Sequence, residues 1–461
     1  MDRTLRVGPA HISAQRTDQP PTMDAPTPRV FTGATMDHFV IEGGHRLRGS
    51  IAPVGNKNAA LPLLAAALLT DQPLTLRNIP DIGDVRTKIE LLRLMGVTIE
   101  DDGAGSLTVD ARGVGATEPD LALSQRIRTA PLLAGPLLAR RGHVTFSRPG
   151  GDRIGRRRLD THFLALQALG AHVEIADDSY TLQADRLRGA DIFLDEMSVT
   201  GTEQAILAAV LADGDTRIAN AASEPHVQDV CHCLRQMGAR IEGIGTNTLY
   251  VQGVASLSGC DYRIGPDFME VGSFIGLAAA TGSEIRITDA RPQEQRITRL
   301  MFGRLGVTFQ EEGDDIVVPA RQELRVRADM HHAVAKIESM PWPGFPTDLV
   351  SIALVVATQA DGTVLIHEKM FENRLFFVDR LIGMGAAIVL CDPHRAIVAG
   401  PSRLHAETLV SPDIRAGMAL LIAALAAEGT SIMHNVNQID RGYERIEERL
   451  RGLGAQIERR G

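Results

Sequence analysis

Apolar residues along this chain recur at i, i+3, i+4 and i+7 in stretches that each stop at a glycine and run directly into a β-branched segment. The phrase "LLRLMGVTIE" (91–100) returns as "LQALGAHVEI" (166–175), "LRQMGARIEG" (234–243), "FGRLGVTFQE" (302–311), "LIGMGAAIVL" (381–390) and "LRGLGAQIER" (450–459). Each copy predicts an amphipathic helix, a glycine in the left-handed closing position and a strand. The glycines Gly96, Gly170, Gly238, Gly306, Gly385 and Gly454 fall about every 70 residues, too far apart for a solenoid of small repeats, so each copy is a folding unit.

Between the copies lie Ala/Leu-rich stretches at 59–69, 203–212, 350–357 and 416–427 that are apolar nearly all round. A helix of that kind must be buried on every side. The pattern therefore predicts an α/β protein with helices at the domain centres and sheets outside, each unit giving one inner helix, one outer helix and about four strands. Six units divide into two domains of three: 57–265, and 38–56 plus 266–461, with the N-terminal strand pairing in the second. A cleft between them is the expected place for an anion site. Residues 1–37, rich in Pro, Thr and Asp without periodic apolar positions, are expected to be a disordered extension, and Met36, just before "HFVIEGG", is a candidate start.

Composition narrows the function. With 44% hydrophobic but only 4% aromatic residues, the cores must be filled by Ala, Leu, Val and Ile. A formal net charge of -9 argues against general nucleic-acid binding, so any anion site is local. Cys231, Cys233, Cys260 and Cys391 form no CxxC pair and read as reduced, buried residues rather than metal ligands. No signal-like or 18-residue apolar run occurs, which predicts a soluble cytoplasmic protein with no membrane partner. The GxGxxG and GxxxxGK[ST] loops are missing, so no nucleotide cofactor is expected.

Charged groups gather where helices begin. In "PVGNKNAALPLLAAALL" (53–69), free backbone N–H groups and the helix dipole favour an anion, and Lys57 adds a full charge; a capped core helix with a solvated lysine fits the same residues. In "PGGDRIGRRRLDTH" (149–162), paired glycines let backbone amides approach a ligand, and Arg153, Arg156, Arg157 and Arg158 offer forked contacts to phosphate or carboxylate, the alternative being a solvated basic loop. Asp348 in "WPGFPTDLVSIALVV" (342–356) reads on spacing alone as an N-cap. Arg374 stands in "FENRLFFVDRL" (371–381), and Asp413 and Arg415 open the helix of "SPDIRAGMALLIAAL" (411–425). In "IDRGYERIEERL" (439–450), Asp440 reads as a cap with Arg441 in the first turn, a placement that opposes the dipole unless an anion binds there.

Taken with "GNKNAALP", "FPTD" and "PDIRA", these motifs resemble, in order from about residue 38 to the end, those of the UDP-N-acetylglucosamine 1-carboxyvinyltransferase family of enolpyruvyl transferases. The resemblance implies two inside-out α/β domains, each with threefold pseudo-symmetry, closing on phosphoenolpyruvate and UDP-N-acetylglucosamine. It implies transfer of enolpyruvyl to the sugar 3-hydroxyl through a tetrahedral ketal, with release of phosphate and no metal or organic cofactor. Lys57 matches the lysine beside phosphoenolpyruvate, Asn58 a sugar-binding asparagine, and Arg128, Arg157 and Arg441 the anion-binding arginines. Asp348 matches a carboxylate next to the attacking hydroxyl, and Asp413 one near the reacting methyl group. Arg158, Asp160, Thr161, Ser198 and Val199 match positions that hold the uridine diphosphate, with Met370 and Arg374 as further substrate-binding positions.

The chain also departs from the family's pattern. Asp152 stands where most members have a cysteine, Arg158 where a proline is common, and Phe268 where an arginine is frequent. Asp152 matches the proton donor to the methylene carbon; a free Asp, with a pKa near 3.9, would need bound substrate and excluded water to act as an acid. Transfer to another nucleotide, such as uridine monophosphate, and a non-catalytic paralogue are the alternatives the residues leave open.

Overall fold

The computed structural model describes residues 37–151 and 154–461. The extension, apart from Asp37, and the loop residues Asp152 and Arg153 lie outside them.

The six repeat glycines do what the pattern requires. Each has φ between 87° and 104°, a region closed to most side chains, and each ends an outer helix shortly before the chain turns into a strand, with one residue between in five copies and three after Gly306. The outer helices are Gly83–Leu94, Asp160–Ala168, Pro225–Gln236, Arg296–Gly303, Val378–Gly383 and Ile446–Gly452. Among the described residues the strands form six sheets, five of four strands and one of three. Each four-stranded sheet joins three antiparallel strands to one parallel edge strand, as in Ala335–Glu338 beside Gly362–His367. The three-stranded sheet has instead a single bond from Thr145 N–H to Thr117 O, 3.1 Å, where that edge would lie.

Inside the sheets stand six helices among the described residues, one for each unit as the repeats require, although only four of the stretches were named from the sequence: Lys57–Ala66, Ala134–Arg141 and Val199–Ala209 in one half, and Phe268–Thr281, Thr347–Thr358 and Ile414–Ala426 in the other. Their residues dominate two separate cores. One runs from Ala59 to Ile264; the other takes Phe39 to Ile51 together with Phe268 to Ile457. The N-terminal strand His38–Glu42 lies antiparallel between Thr430–His434 and Gln456–Arg460, and Arg48–Ile51 runs parallel to Glu284–Ile287. The chain therefore crosses between halves twice. At the crossing Asn56 N–H donates to Gly265 O and Asp267 N–H to Val54 O, both 2.8 Å. Gly55 is required there because a Cβ would stand 1.7 Å from the carbonyl oxygen of Asn78.

Two local readings are corrected. Cys391 is exposed while Cys231 and Cys233 are buried, because residue 391 lies on an outer strand whose odd positions face away from the core. Asp440 caps no helix: residues Val436–Arg441 form a 3-10 turn with Arg441 at its end, and Asp440 pairs with Arg459 at 2.6 Å, a charge-assisted bond stronger than a cap. No helix among the described residues is long and apolar enough to cross a membrane.

Candidate active site

Five of the inner helices, all but Ala134–Arg141, bring first-turn residues to a cavity of about 590 Å³ lined by Lys57, Asn58, Arg128, Arg157, Arg158, Ser198 and Val199 from one half and Asp348, Met370, Arg374 and Arg441 from the other. Residues scattered over nearly 400 positions of chain thus share one space: Lys57, Asn58, Ser198, Val199 and Asp348 sit at the starts of inner helices, and Arg128, Arg157, Arg158, Met370, Arg374 and Arg441 on the loops and turns between elements.

Asn56 caps the first inner helix, its side chain accepting from the N–H groups of Asn58 (2.8 Å) and Ala59 (3.2 Å), which leaves Lys57 at the helix mouth. The buried Lys57 ammonium lies 2.8 Å from Asp84, whose other oxygen accepts from Arg441 Nε, also at 2.8 Å. Asp84 therefore joins a cation from each half. Burial alone would raise its pKa, but Lys57 and Arg441 overcome that and hold the carboxyl below the usual range.

A second carboxylate is arranged the same way. Asp348 is not the N-cap that its spacing predicts: the helix starts at Thr347 with Pro346 in the cap position and no side-chain cap. Its oxygens instead accept from Arg374 (2.6 Å) and Arg415 (3.0 Å), two buried guanidinium groups whose charge outcompetes a neutral backbone donor. Burial works against ionisation here too, and Arg415 and Arg374 reverse it, holding Asp348 far below the carboxylate range. Asp413 is the true cap, accepting from the N–H groups of Arg415 (2.8 Å) and Ala416 (2.9 Å), with Arg374 3.9 Å away.

The arginine loop is tied at both ends. Arg128 donates from Nη2 to the carbonyl oxygens of Arg157 (2.9 Å) and Arg158 (2.8 Å); burial, with the like charge of Arg157, draws its pKa down to about 10. From the opposite half, Glu372 accepts from Arg156 N–H at 3.2 Å, and Asn373 N–H donates to Ile154 O at 2.9 Å. Arg158 bonds Asp160 (3.1 Å) and Asp195 (2.9 Å), and Thr161 donates to Asp195 at 2.7 Å. Asp160, Thr161 and Asp413 stand behind the lining rather than in it. Sequence reasoning missed Asp84, Glu203, Glu224, His226 and Trp342, all lining residues, and placed Arg415 at a helix start without assigning it to the site.

Because the Asp84 and Asp348 carboxyls titrate lower in the folded chain than in the unfolded one, the stability they give is fully present above about pH 4, the unfolded value, and drains away as pH falls through their folded values. Unfolding by denaturant followed from pH 6 to 3 is expected to show a progressive loss in the wild type and a shallower one in Asp84→Asn. Equal slopes would remove Asp84 from the acid response.

A family model described as EPSP synthase (3-phosphoshikimate 1-carboxyvinyltransferase) matches residues 41–450. The chain is 58% identical over 421 residues to the UDP-N-acetylglucosamine 1-carboxyvinyltransferase of Bradyrhizobium diazoefficiens, covering 91% of this chain and 97% of that one. It is 53% identical over 423 residues to the protein of the same name from Treponema denticola, covering 92% and 99%. The crystal structure of the enolpyruvyl transferase NikO from Streptomyces tendae superposes with a TM-score of 0.82 at 26% identity, covering 92% and 99%. EPSP synthase from Acinetobacter baumannii shares the fold, with a TM-score of 0.70 at 18% identity over 93% and 100%.

Proposed function

Because the chain belongs to the EPSP synthase family of enolpyruvyl transferases and, within it, to the UDP-N-acetylglucosamine 1-carboxyvinyltransferases, we propose that it moves the enolpyruvyl group of phosphoenolpyruvate onto the 3-hydroxyl of UDP-N-acetylglucosamine. Phosphate leaves, and the product enters peptidoglycan precursor synthesis in the cytoplasm. The observation that carries this reading is the meeting of Lys57, Arg441 and Asp348, each with its counter-charge, in one cavity between two halves that the chain joins by two crossings.

In the proposed reaction the acceptor oxygen bonds to C2 of phosphoenolpyruvate and gives its proton to Asp348, while the methylene carbon takes a proton from Asp152 to form the ketal. The C2–O bond to phosphate then breaks as the methyl group loses a proton on the side of Asp413. Lys57, Arg157 and Arg441 take the phosphate and carboxylate charges, which is where a cation in a water-poor site has most effect. Arg128 orders the loop backbone that carries Arg157. Asn58, Met370 and Arg374 face the sugar and Arg158, Ser198 and Val199 the uridine diphosphate, with Asp160 and Thr161 behind them holding Arg158 and Asp195 in place. The two domains, 57–265 and 38–56 plus 266–461, close over both substrates.

Phosphate release from phosphoenolpyruvate with UDP-N-acetylglucosamine as acceptor tests the reading directly. Release with uridine monophosphate and not with UDP-N-acetylglucosamine would change the acceptor; release with neither would make the chain a non-catalytic member.

Asp152 gives a separate prediction from the sequence. A carboxylate does not form the thioether by which the epoxide fosfomycin alkylates a cysteine at this position, so the wild type is expected to keep full activity after preincubation. Asp152→Cys is expected to lose activity progressively with preincubation time and to gain one fosfomycin-derived adduct in its intact mass. A wild-type enzyme already alkylated in this loop would refute the assignment.

A further inference from the structure

One wall of the cavity is not explained by anion binding. Glu203 comes from the inner helix Val199–Ala209, and Glu224 and His226 from the start of the outer helix Pro225–Gln236. Glu203 is 1% and His226 3% exposed. Among the described residues, Glu203 Oε1, Glu224 Oε2 and both ring nitrogens of His226 have no hydrogen-bond partner. Buried polar atoms are nearly always paired, and four orphans on one wall of one cavity mark groups that a ligand completes.

The charge state of the wall says what kind of ligand group fits. Burial lifts Glu203 far above the carboxyl range, with Glu224 adding to the rise and Lys88 opposing it. Burial likewise lowers His226 to about 4, against a smaller pull from Asp348. At neutral pH the wall therefore presents an uncharged imidazole, one donor and one acceptor, beside a carboxyl whose ionisation burial opposes. It lacks the positive charge that holds phosphate or carboxylate. Hydroxyl and amide groups match it.

The imidazole is also fixed in place. It stacks on Phe268 with ring centroids 6.0 Å apart and planes 18° from parallel, and Phe268 meets Trp342 edge-on at 5.5 Å. Phe268 and Trp342 belong to the opposite half, so the ring is held against an aromatic pair from across the cleft, in the wall of the cavity.

We propose that Glu203, Glu224 and His226 form the surface that binds the uncharged hydroxyl and acetamido groups of the acceptor sugar, with His226 as a specificity-determining residue. This rests on the acceptor proposed above. His226→Phe keeps a ring on Phe268 and removes both nitrogens; it is expected to raise the KM and the calorimetric Kd for UDP-N-acetylglucosamine about tenfold or more. The KM for phosphoenolpyruvate and the Kd for UDP, which has no sugar, should stay within about twofold. His226→Gln, which keeps one donor and one acceptor, is expected to regain most of the loss, and thermal melting of both variants checks the fold. A wild type that turns over UDP-N-acetylglucosamine alongside a His226→Phe enzyme with unchanged KM overturns the inference alone. So does equal weakening of UDP and UDP-N-acetylglucosamine, which would make His226 a brace for the aromatic stack. A wild type with no turnover of this acceptor overturns the functional reading and the inference with it.

Discussion

Asp348→Asn is expected to lower kcat by about a thousandfold and to destabilise the fold at the same time. The two effects share one cause. Arg374 and Arg415 are 2% and 4% exposed, and both are already incompletely paired: Arg374 Nε and Arg415 Nη1 have no partner among the described residues. Removing the carboxylate that both touch leaves buried cations facing a neutral amide, a change worth roughly 3–5 kcal/mol in comparable buried pairs. Their grip also bears on chemistry. A carboxylate held this far down is a weak base, so in the proposed reaction the anionic groups of phosphoenolpyruvate must draw the arginines away before Asp348 can take up a proton. Asp348→Glu separates the contributions, since it keeps the charge but moves it by one methylene. Melting temperature should recover toward wild type while kcat at saturating substrates stays low. Recovery of both would make Asp348 a charge partner with no positional duty.

The fold was legible where local chemistry decides it. Gly96 and its five counterparts announce helix ends because no other residue tolerates their backbone angle so readily. The Ala/Leu stretch at 416–427 announces a buried helix because nothing polar interrupts it, and the helix runs Ile414–Ala426. The two inner helices passed over are those with interruptions: Ala134–Arg141 follows Pro131 and contains Pro136, and Phe268–Thr281 carries two glycines among its apolar residues. The site was legible only to the extent that charge at a helix mouth is unusual. Lys57 could be picked out that way; its partner Asp84 reads as an ordinary acidic residue in a first turn, favoured there by the dipole. That Asp84 meets Arg441 from 357 positions away is a product of tertiary packing, with no trace in local spacing. Asp348 was mistaken for a cap for the same reason, since Arg374 and Arg415 arrive from 26 and 67 positions along the chain.

Lys57→Met is expected to cut kcat/KM for phosphoenolpyruvate by about a thousandfold, while the affinity for UDP-N-acetylglucosamine stays within about tenfold. Asp84 gives Lys57 and Arg441 a negative charge of the kind that a phosphate would supply, so the two largely desolvated cations are held in place at the cavity. Such preorganisation is what makes an electrostatic contact effective in a transition state. It also makes the two ends of this 2.8 Å ion pair separable. Lys57→Met removes a cation and should weaken inhibition by inorganic phosphate. Asp84→Asn removes the competing anion from beside two cations, the buried Lys57 and the partly buried Arg441, so phosphate should inhibit it more strongly than the wild type, by about tenfold if the freed attraction is near 1.4 kcal/mol. Opposite shifts in the phosphate inhibition constant from substitutions at touching atoms are what an anion site predicts. Parallel weakening in both variants would instead mean that Lys57, Asp84 and Arg441 brace the two halves against each other, and the phosphate would have to bind elsewhere in the cavity.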